Sequence, residues 1–465
     1  MYIEQLYTNC LSEAAYYIES EGEAAIIDPL RDTERYIELA TSRGASIRYI
    51  FETHFHADFV SGHLDLAKKT GAPIIYGPNA DTGFEKYQAK DQEIFPLGKA
   101  SIRVMHTPGH TLESTCYLLL NEQGEADSLF TGDTLFVGDV GRPDLFSGNL
   151  SKEELASYLY DSLHAIRQLP DSVKVYPAHG PGSSCGKNLG PSTHSTIGEE
   201  KQTNYAMAEQ SREDFIKAVT EGLNVPPAYF PVNASINKKG YESLDEVKIR
   251  GLRALSIEEF KQLSQNALIL DTRAAVVFTQ GFVPGSVNIG LEGRFAEWAG
   301  ALLPFHEKMI LVTEAGKEEE SLIRLARVGF DQVEGFLKGG YDHWKERGEN
   351  IDMIIDIEAD ELKMDLNYDE KMLVVDVRKE PEYQNGHVQT AVNVPLHTLT
   401  DIHVLSQFED QENLYIHCAG GYRSVIACSL LKRQGYHNLR NVLGGYEKIK
   451  LVPDMPLEAA KQVLN

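Results

Sequence analysis

The second half of the chain repeats itself at a fixed spacing of 105 residues. Leu270-Asp271-Thr272-Arg273 falls on Val375-Asp376-Val377-Arg378, Gly285-Ser286-Val287-Asn288-Ile289 on Thr390-Ala391-Val392-Asn393-Val394, and Gly339-Gly340-Tyr341 on Gly444-Gly445-Tyr446. Three anchors under one ungapped shift define two copies of a single folding unit. Each copy offers a short apolar strand (267–270, 372–375), a turn-rich loop, and a second strand (309–312, 414–417) feeding a helical stretch. That alternation predicts two small α/β domains with mainly parallel sheets, at 250–350 and 355–465.

The segment before the repeats has a different texture. Strand-like runs at 24–28, 47–52, 102–106, 115–120, 128–131 and 173–176 dominate it, with helices at 62–69 and 151–168. Ser151 and Glu154 form a capping-box signal for the latter. A further helix at 211–222 stops before Pro226-Pro227, which remove donors and forbid continuation. The polar stretch 233–246, with Lys238-Lys239-Gly240, then reads as a solvated linker closing a domain at 1–235. Three domains suit a chain of 465 residues.

Composition narrows the partners. The 69 acidic against 44 basic residues leave a formal charge of −25, which repels nucleic-acid backbones and anionic membranes. No apolar run reaches the ~20 residues needed to span a bilayer, and the first residues lack a basic, then apolar, secretion signal. The expectation is a cytoplasmic homo-oligomer acting on small molecules. Five cysteines, odd in number and scattered at 10, 116, 185, 418 and 428, argue for free thiols rather than a disulfide framework.

Thr53-His54-Phe55-His56-Ala57-Asp58-Phe59 follows directly on the strand at 47–52. Alternation along an extended segment sends His54 and His56 to one side, with Asp58 able to follow. His110, Asp133 and His179 each come just beyond a later strand, in Thr107-Pro108-Gly109-His110, Thr131-Gly132-Asp133 and Pro177-Ala178-His179. Metal-ligand side chains on loops at several strand ends are what a rigid scaffold needs to fix an open metal site.

This constellation resembles the metallo-β-lactamase superfamily, whose signature is H-x-H-x-D-H followed by His, Asp and His ligands. The resemblance covers about residues 1–230 and implies an αββα sandwich with a metal at one edge. Phe59 stands where the last histidine of the motif belongs, so a second metal loses a ligand and a mononuclear centre is implied. His54, His110 and Asp133 then supply two imidazoles and a carboxylate, the composition that leaves open positions on non-haem Fe(II), with zinc as the alternative. His56, Asp58 and His179 become groups that orient the ligands and move protons, or alternative ligands.

In the last repeat the strand at 414–417 runs into Cys418-Ala419-Gly420-Gly421-Tyr422-Arg423-Ser424 and then a helix. A thiolate at the head of such a turn faces several backbone N–H groups and a helix N-terminus; Gly420 and Gly421 let the backbone curl, and Arg423 adds a cation. The loop resembles the rhodanese active-site loop, C-x-x-G-x-R, with six residues from Cys418 to Arg423. Asp376-Val377-Arg378, Glu382-Tyr383 and Gly386-His387-Val388 match the upstream signature, while Thr390 replaces its usual glycine. Shifting by one repeat puts Thr313 at the nucleophile and Glu318 at the cation, so the middle copy is expected to be catalytically inactive.

The joined domains resemble bacterial persulfide dioxygenase–rhodanese fusions of sulfide detoxification. That resemblance implies oxidation of a low-molecular-weight thiol persulfide by O2 to sulfite, and sulfur transfer through Cys418 to give thiosulfate. Arg142 is expected either to bind an anionic group of the carrier thiol or to sit in a structural ion pair, and Cys185 is a candidate sulfur relay near the metal. The alternative is a zinc thioester hydrolase of the glyoxalase II type fused to a sulfurtransferase.

Overall fold

The computed structural model of the chain describes residues 1–145, 148–408 and 412–458; 146–147, 409–411 and 459–465 lie outside the described residues. The described residues form two units, Met1–Glu246 with Ile323–Asp331, and Val247–Leu322 with Gln332–Asn465. No helix among them is long and apolar enough to cross a membrane.

The first unit is built on two six-stranded sheets. One runs in chain order from Tyr2–Thr8 through Glu13–Ser20, Glu23–Ile27, Ser46–Glu52 and Ile74–Tyr76 to Tyr87–Gln88. The other orders Ser195–Thr196, Lys174–Pro177, Ala126–Gly132, Thr115–Leu120, Ala100–His106 and Ile94–Leu97. Strand alternation sorts the side chains into layers. Tyr16, Ile18, Ile27 and Phe51 of the first sheet meet Ile102, Val104, Tyr117 and Phe130 of the second in a central core. The opposite face of the first sheet, Ala15, Tyr17, Ile26 and Ile50, packs on Tyr36 and Ala40 of helix Glu34–Ser42 and Leu66 of helix His63–Thr70. The outer face of the second, Cys116, Leu118, Leu120 and Leu129, packs on Leu159, Leu163 and Ile166 of helix Lys152–Ile166 and Phe215 of helix Arg212–Thr220. Covered on both faces, Thr115–Leu120 is buried at every position, and each large apolar side chain so buried contributes roughly 1.5–3 kcal/mol. The result is the expected αββα sandwich. Ser151 caps helix Lys152–Ile166 with the reciprocal Ser151–Glu154 bonds the sequence implies.

The second unit carries the two repeats, and their sheets have the same order. The middle copy reads Ala254–Leu255, Val333–Leu337, Met309–Val312, Leu268–Asp271, Val287–Asn288; the last reads Ile355–Ile357, Leu439–Val442, Asn413–His417, Met372–Asp376, Val392–Asn393. All these pairs are parallel. The repetition extends to side chains. Arg273 grips Asp271 and the Gly281 carbonyl, as Arg378 grips Asp376 and the Gly386 carbonyl. Each guanidinium lies over a tyrosine, Tyr341 or Tyr446, 4.3 and 4.0 Å from the ring centre.

The stretch 233–246 departs from its expectation as a solvated linker. It belongs to helix Phe230–Lys239 and the start of helix Leu244–Gly251, and Asn233 and Asn237 are fully buried. Polar composition misleads here because these side chains are enclosed rather than solvated, and the Asn237 amide faces backbone groups. Asn237 Nδ2 donates to the carbonyls of His56 (2.8 Å) and Phe59 (2.7 Å), and its Oδ1 accepts from Ser61 N–H (2.9 Å).

Candidate functional site

Six of the sequence-predicted residues converge where strands of both sheets end. Strand Ser46–Glu52 delivers His54, His56 and Asp58; strand Ala100–His106 leads to His110, Ala126–Gly132 to Asp133, and Lys174–Pro177 to His179. All six are at most 5% exposed. Donor atoms of His54, His110 and Asp133 lie within 4.8 Å of one another. His54 Nε2 and His110 Nε2 stand 3.7 and 3.5 Å from Asp133 Oδ2, which is buried without a hydrogen-bond partner.

The remaining ring nitrogens set the tautomers. His110 Nδ1–H donates to the Arg142 carbonyl at 2.9 Å. The Thr53 hydroxyl donates to Asp28 Oδ2 at 2.8 Å and so accepts from His54 Nδ1–H at 3.0 Å. Both Nε2 lone pairs are thereby turned toward Asp133. Burial, then the neighbouring His56, pushes the His54 pKa well below the usual imidazole range, so this ligand is neutral at pH 7. Gly141 is required beside His110: a Cβ there would lie 2.1 Å from the Asp133 carbonyl and 2.9 Å from His110 Nδ1. Two imidazoles and one carboxylate with an orphaned oxygen between them fit a divalent metal.

His179 bridges two carboxylates. Its Nδ1 lies 2.8 Å from Asp133 Oδ1 and its Nε2 2.7 Å from Asp58 Oδ2. Burial opposes charge on this ring, yet Asp133 and Asp58 together hold its pKa well above the ordinary value, so both nitrogens carry protons. Asp133 moves the opposite way: burial is outweighed by His179 and His54, and its carboxyl is held well below the usual range.

The His56 ring lies 4.2 Å from that of His54, centre to centre. Its Nε2 faces Asp28 Oδ1 at 3.1 Å and Glu52 Oε2 at 3.8 Å, and its ring packs on Phe59 with centres 4.3 Å apart. Asp58, His179 and Cys185 form a separate group of buried donors. Burial, then the charges of Asp58 and Asp133, pushes the Cys185 thiol well above its usual range. Arg142 is 4% exposed and engaged within the chain: it pairs with Asp144 through two bonds of 2.7 Å and donates to the Asn224 carbonyl. The ion-pair reading of Arg142 is the one this geometry matches; its contribution to the site is its backbone carbonyl on His110.

In the second unit, strand Asn413–His417 delivers Cys418 to the N-terminus of helix Tyr422–Arg433. Gly421 N–H donates to Cys418 Sγ at 3.1 Å, and Gly421 holds φ at +104°, a conformation that suits glycine. Arg423 makes a two-bond pair with Glu382 at 2.7 and 2.8 Å, so the cation at this loop is already compensated. A cavity of about 200 Å3 opens beside the loop, lined by Gly420, Gly421 and Tyr422 from the last repeat and Ala274, Gly290 and Glu292 from the middle one. Tyr422 Oη donates to the Gly290 carbonyl at 2.8 Å. Thr313, at the position equivalent to Cys418, is buried and offers no thiol.

Sequence reasoning missed Asn237 and Tyr241, whose hydroxyl donates to the Ser61 carbonyl and accepts from Leu64 N–H at 3.2 Å. It also missed Glu382 as the partner of Arg423 and Asp28 as the anchor of Thr53. The identical spacing of Arg273 and Arg378 from their aspartates signals paired acids in the repeats, but no such repetition marks the first unit.

Comparison with known proteins agrees with this architecture. Residues 8–179 match the metallo-beta-lactamase superfamily, and residues 256–347 and 358–451 each match the rhodanese-like domain. A metallo-beta-lactamase structure from Staphylococcus aureus subsp. aureus COL is 32% identical, covering 73% of this chain and 98% of its own, with a TM-score of 0.64. A probable hydroxyacylglutathione hydrolase of Schizosaccharomyces pombe is 30% identical over 39% of this chain and 77% of its own length. A hydroxyacylglutathione hydrolase of Pelagibacter ubique is 33% identical over 37% of this chain and 68% of its own. The chain thus belongs to the metallo-beta-lactamase superfamily and joins that metal-binding fold to two rhodanese-like domains.

Proposed function

We propose that the chain is a mononuclear non-haem iron persulfide dioxygenase joined to a sulfurtransferase, with the oxygenase in residues 1–235, an inactive rhodanese in 250–350 and an active one in 355–465. The observation that carries this reading is the donor set: His54, His110 and Asp133 face one point while His56 is turned onto Asp28 beside Phe59. Overall, R-S-SH + O2 + H2O gives R-SH + sulfite + 2 H⁺. Iron held by His54, His110 and Asp133 would supply Lewis-acid chemistry and a route for electrons from the persulfide sulfur to O2.

The chain's own groups do the rest. Thr53 and the Arg142 carbonyl hold the two histidines in register, and burial of the ligands keeps bulk water from the reacting sulfur. His179 keeps a proton on Nδ1 toward Asp133 and another on Nε2 toward Asp58, and this pair can carry the protons released with sulfite. In the second half-reaction Cys418 Sγ attacks the outer sulfur of R-S-SH, breaking its S–S bond, releasing R-SH and leaving Cys418-S-SH. The Gly421 N–H that meets Sγ supports the anionic form of this persulfide. Sulfite then takes the outer sulfur as thiosulfate and returns the thiolate.

A second reading, zinc-dependent thioester hydrolysis, is favoured by the names of the two hydrolase relatives and by the Asp58, His179 and Cys185 donor group, which offers a place for a second ion. Metal analysis after chelator-free purification, with parallel assays on a thiol persulfide and an S-acyl thiol, separates them. Iron with persulfide-dependent thiosulfate formation supports the dioxygenase; zinc with thioester cleavage supports the hydrolase.

A further inference from the structure

Beneath the His54–His110–Asp133 centre lies a second set of metal-type donors. Asp28 follows strand Glu23–Ile27, and Glu52 ends the neighbouring parallel strand, with Ile27 opposite Phe51. The parallel register therefore sets the two carboxylates side by side at the C-terminal ends of two central strands, and His56 Nε2 faces them. Asp28, Glu52 and His56 are 0–1% exposed.

Several of their atoms lack a hydrogen-bond partner. Glu52 Oε2 and both ring nitrogens of His56 are buried and unpartnered. His63, whose Nδ1 is 3.6 Å from Glu52 Oε1, also leaves both nitrogens unpartnered. Burying such groups without partners costs several kcal/mol each, roughly, so the arrangement calls for something between them. A hydrogen bond among these groups needs good alignment as well as a separation of about 2.7–3.2 Å. Here His56 Nε2 lies 3.1 Å from Asp28 Oδ1 without hydrogen-bond geometry and 3.8 Å from Glu52 Oε2.

Donors around one ion at bond lengths of about 2.0–2.2 Å stand roughly 3–4 Å apart. The His54, His110 and Asp133 donors, at 3.7 and 3.5 Å, show the same spread. We propose that Asp28, Glu52 and His56 hold a second divalent transition-metal ion, buried and structural, separate from the His54–His110–Asp133 centre. Two carboxylates balance its charge and the imidazole adds the nitrogen preferred by iron, manganese or zinc. The carboxylate oxygens not assigned to the ion are supported by Thr53 on Asp28 Oδ2 (2.8 Å) and Ser61 on Glu52 Oε1 (2.6 Å). Thr53 also touches His54 Nδ1, so this ion would stiffen the support of a catalytic ligand.

The test uses the full chain purified without chelator and supplemented anaerobically with Fe(II), followed by metal analysis and anomalous diffraction at the iron edge. The expected result is two ions per chain, one peak among His54, His110 and Asp133 and one among Asp28, Glu52 and His56. A water molecule in place of the second peak overturns the inference and leaves the proposed activity intact. A second peak at Asp58, His179 and Cys185 instead overturns both this inference and the mononuclear reading. Glu52→Gln is expected to lose one ion while keeping the His54 peak; retention of both ions overturns the proposal. Should that variant fail to fold, the native anomalous map decides.

Discussion

Asn237 donates to the backbone carbonyl of Phe59 at 2.7 Å, tying a helix nearly 180 residues downstream to the loop that carries the metal motif. The same amide serves His56 and Ser61, so one side chain fixes three backbone groups of that loop. Asn237→Ala leaves these groups buried and unpaired, which costs about 1–3 kcal/mol. Chemical denaturation should register that loss, and metal titration should show weaker binding by about 10–100-fold.

Asp133 is both the shared carboxylate of the proposed metal triad and an acceptor for His179. Asp133→Asn removes a charged ligand and one of the two partners that keep His179 protonated. The variant should emerge with less than about a tenth of the native metal content. NMR titration of the metal-free variant should show the His179 pKa lower than in the native chain.

Cys418→Ser separates the two half-reactions. The proposed oxygenase site is untouched, so persulfide-dependent O2 uptake should continue while the product changes from thiosulfate to sulfite. Product analysis by chromatography checks this, and undiminished thiosulfate would remove Cys418 from the transfer.

His63 gives the first unit an acid sensitivity. Burial, then the charges of His56 and Arg31, pushes its pKa from 6.5 down to about 3. A depressed histidine is neutral in the folded state, so its contribution is intact above pH 6.5 and is lost as pH falls toward 3, where the unfolded chain binds the extra proton. At pH 5 the loss is about 2 kcal/mol relative to pH 7. His63 is packed among the rings of Tyr76, Phe84 and Tyr241, and His63→Phe should remove this share of the pH dependence in denaturation measured at the two pH values.

The sandwich was legible through the family resemblance carried by the His-Asp motif, and the parallel repeat sheets because the repeat shift superposes whole elements. The convergence of His54, His110 and Asp133 was legible for a related reason: each follows a strand whose end is fixed by the sheet. The polar supports were not. Asn237 sits in a stretch whose composition matches a solvated linker, and only the fold shows its amide turned inward. Asp28 and Glu52 read as ordinary strand ends until the pairing of Ile27 with Phe51 sets them side by side. Arg142 and Arg423 offered cations in the sequence; Asp144 and Glu382, which engage them, are chosen by loop geometry that periodicity does not encode.

The most direct test of the proposed activity is O2 consumption by the anaerobically iron-loaded chain given a thiol persulfide such as that of glutathione. The account predicts uptake of one O2 per persulfide oxidised, lost when His54 or His110 is replaced by alanine. Absence of uptake from protein with a filled His54–His110–Asp133 site, together with hydrolysis of an S-acyl thiol, would contradict it.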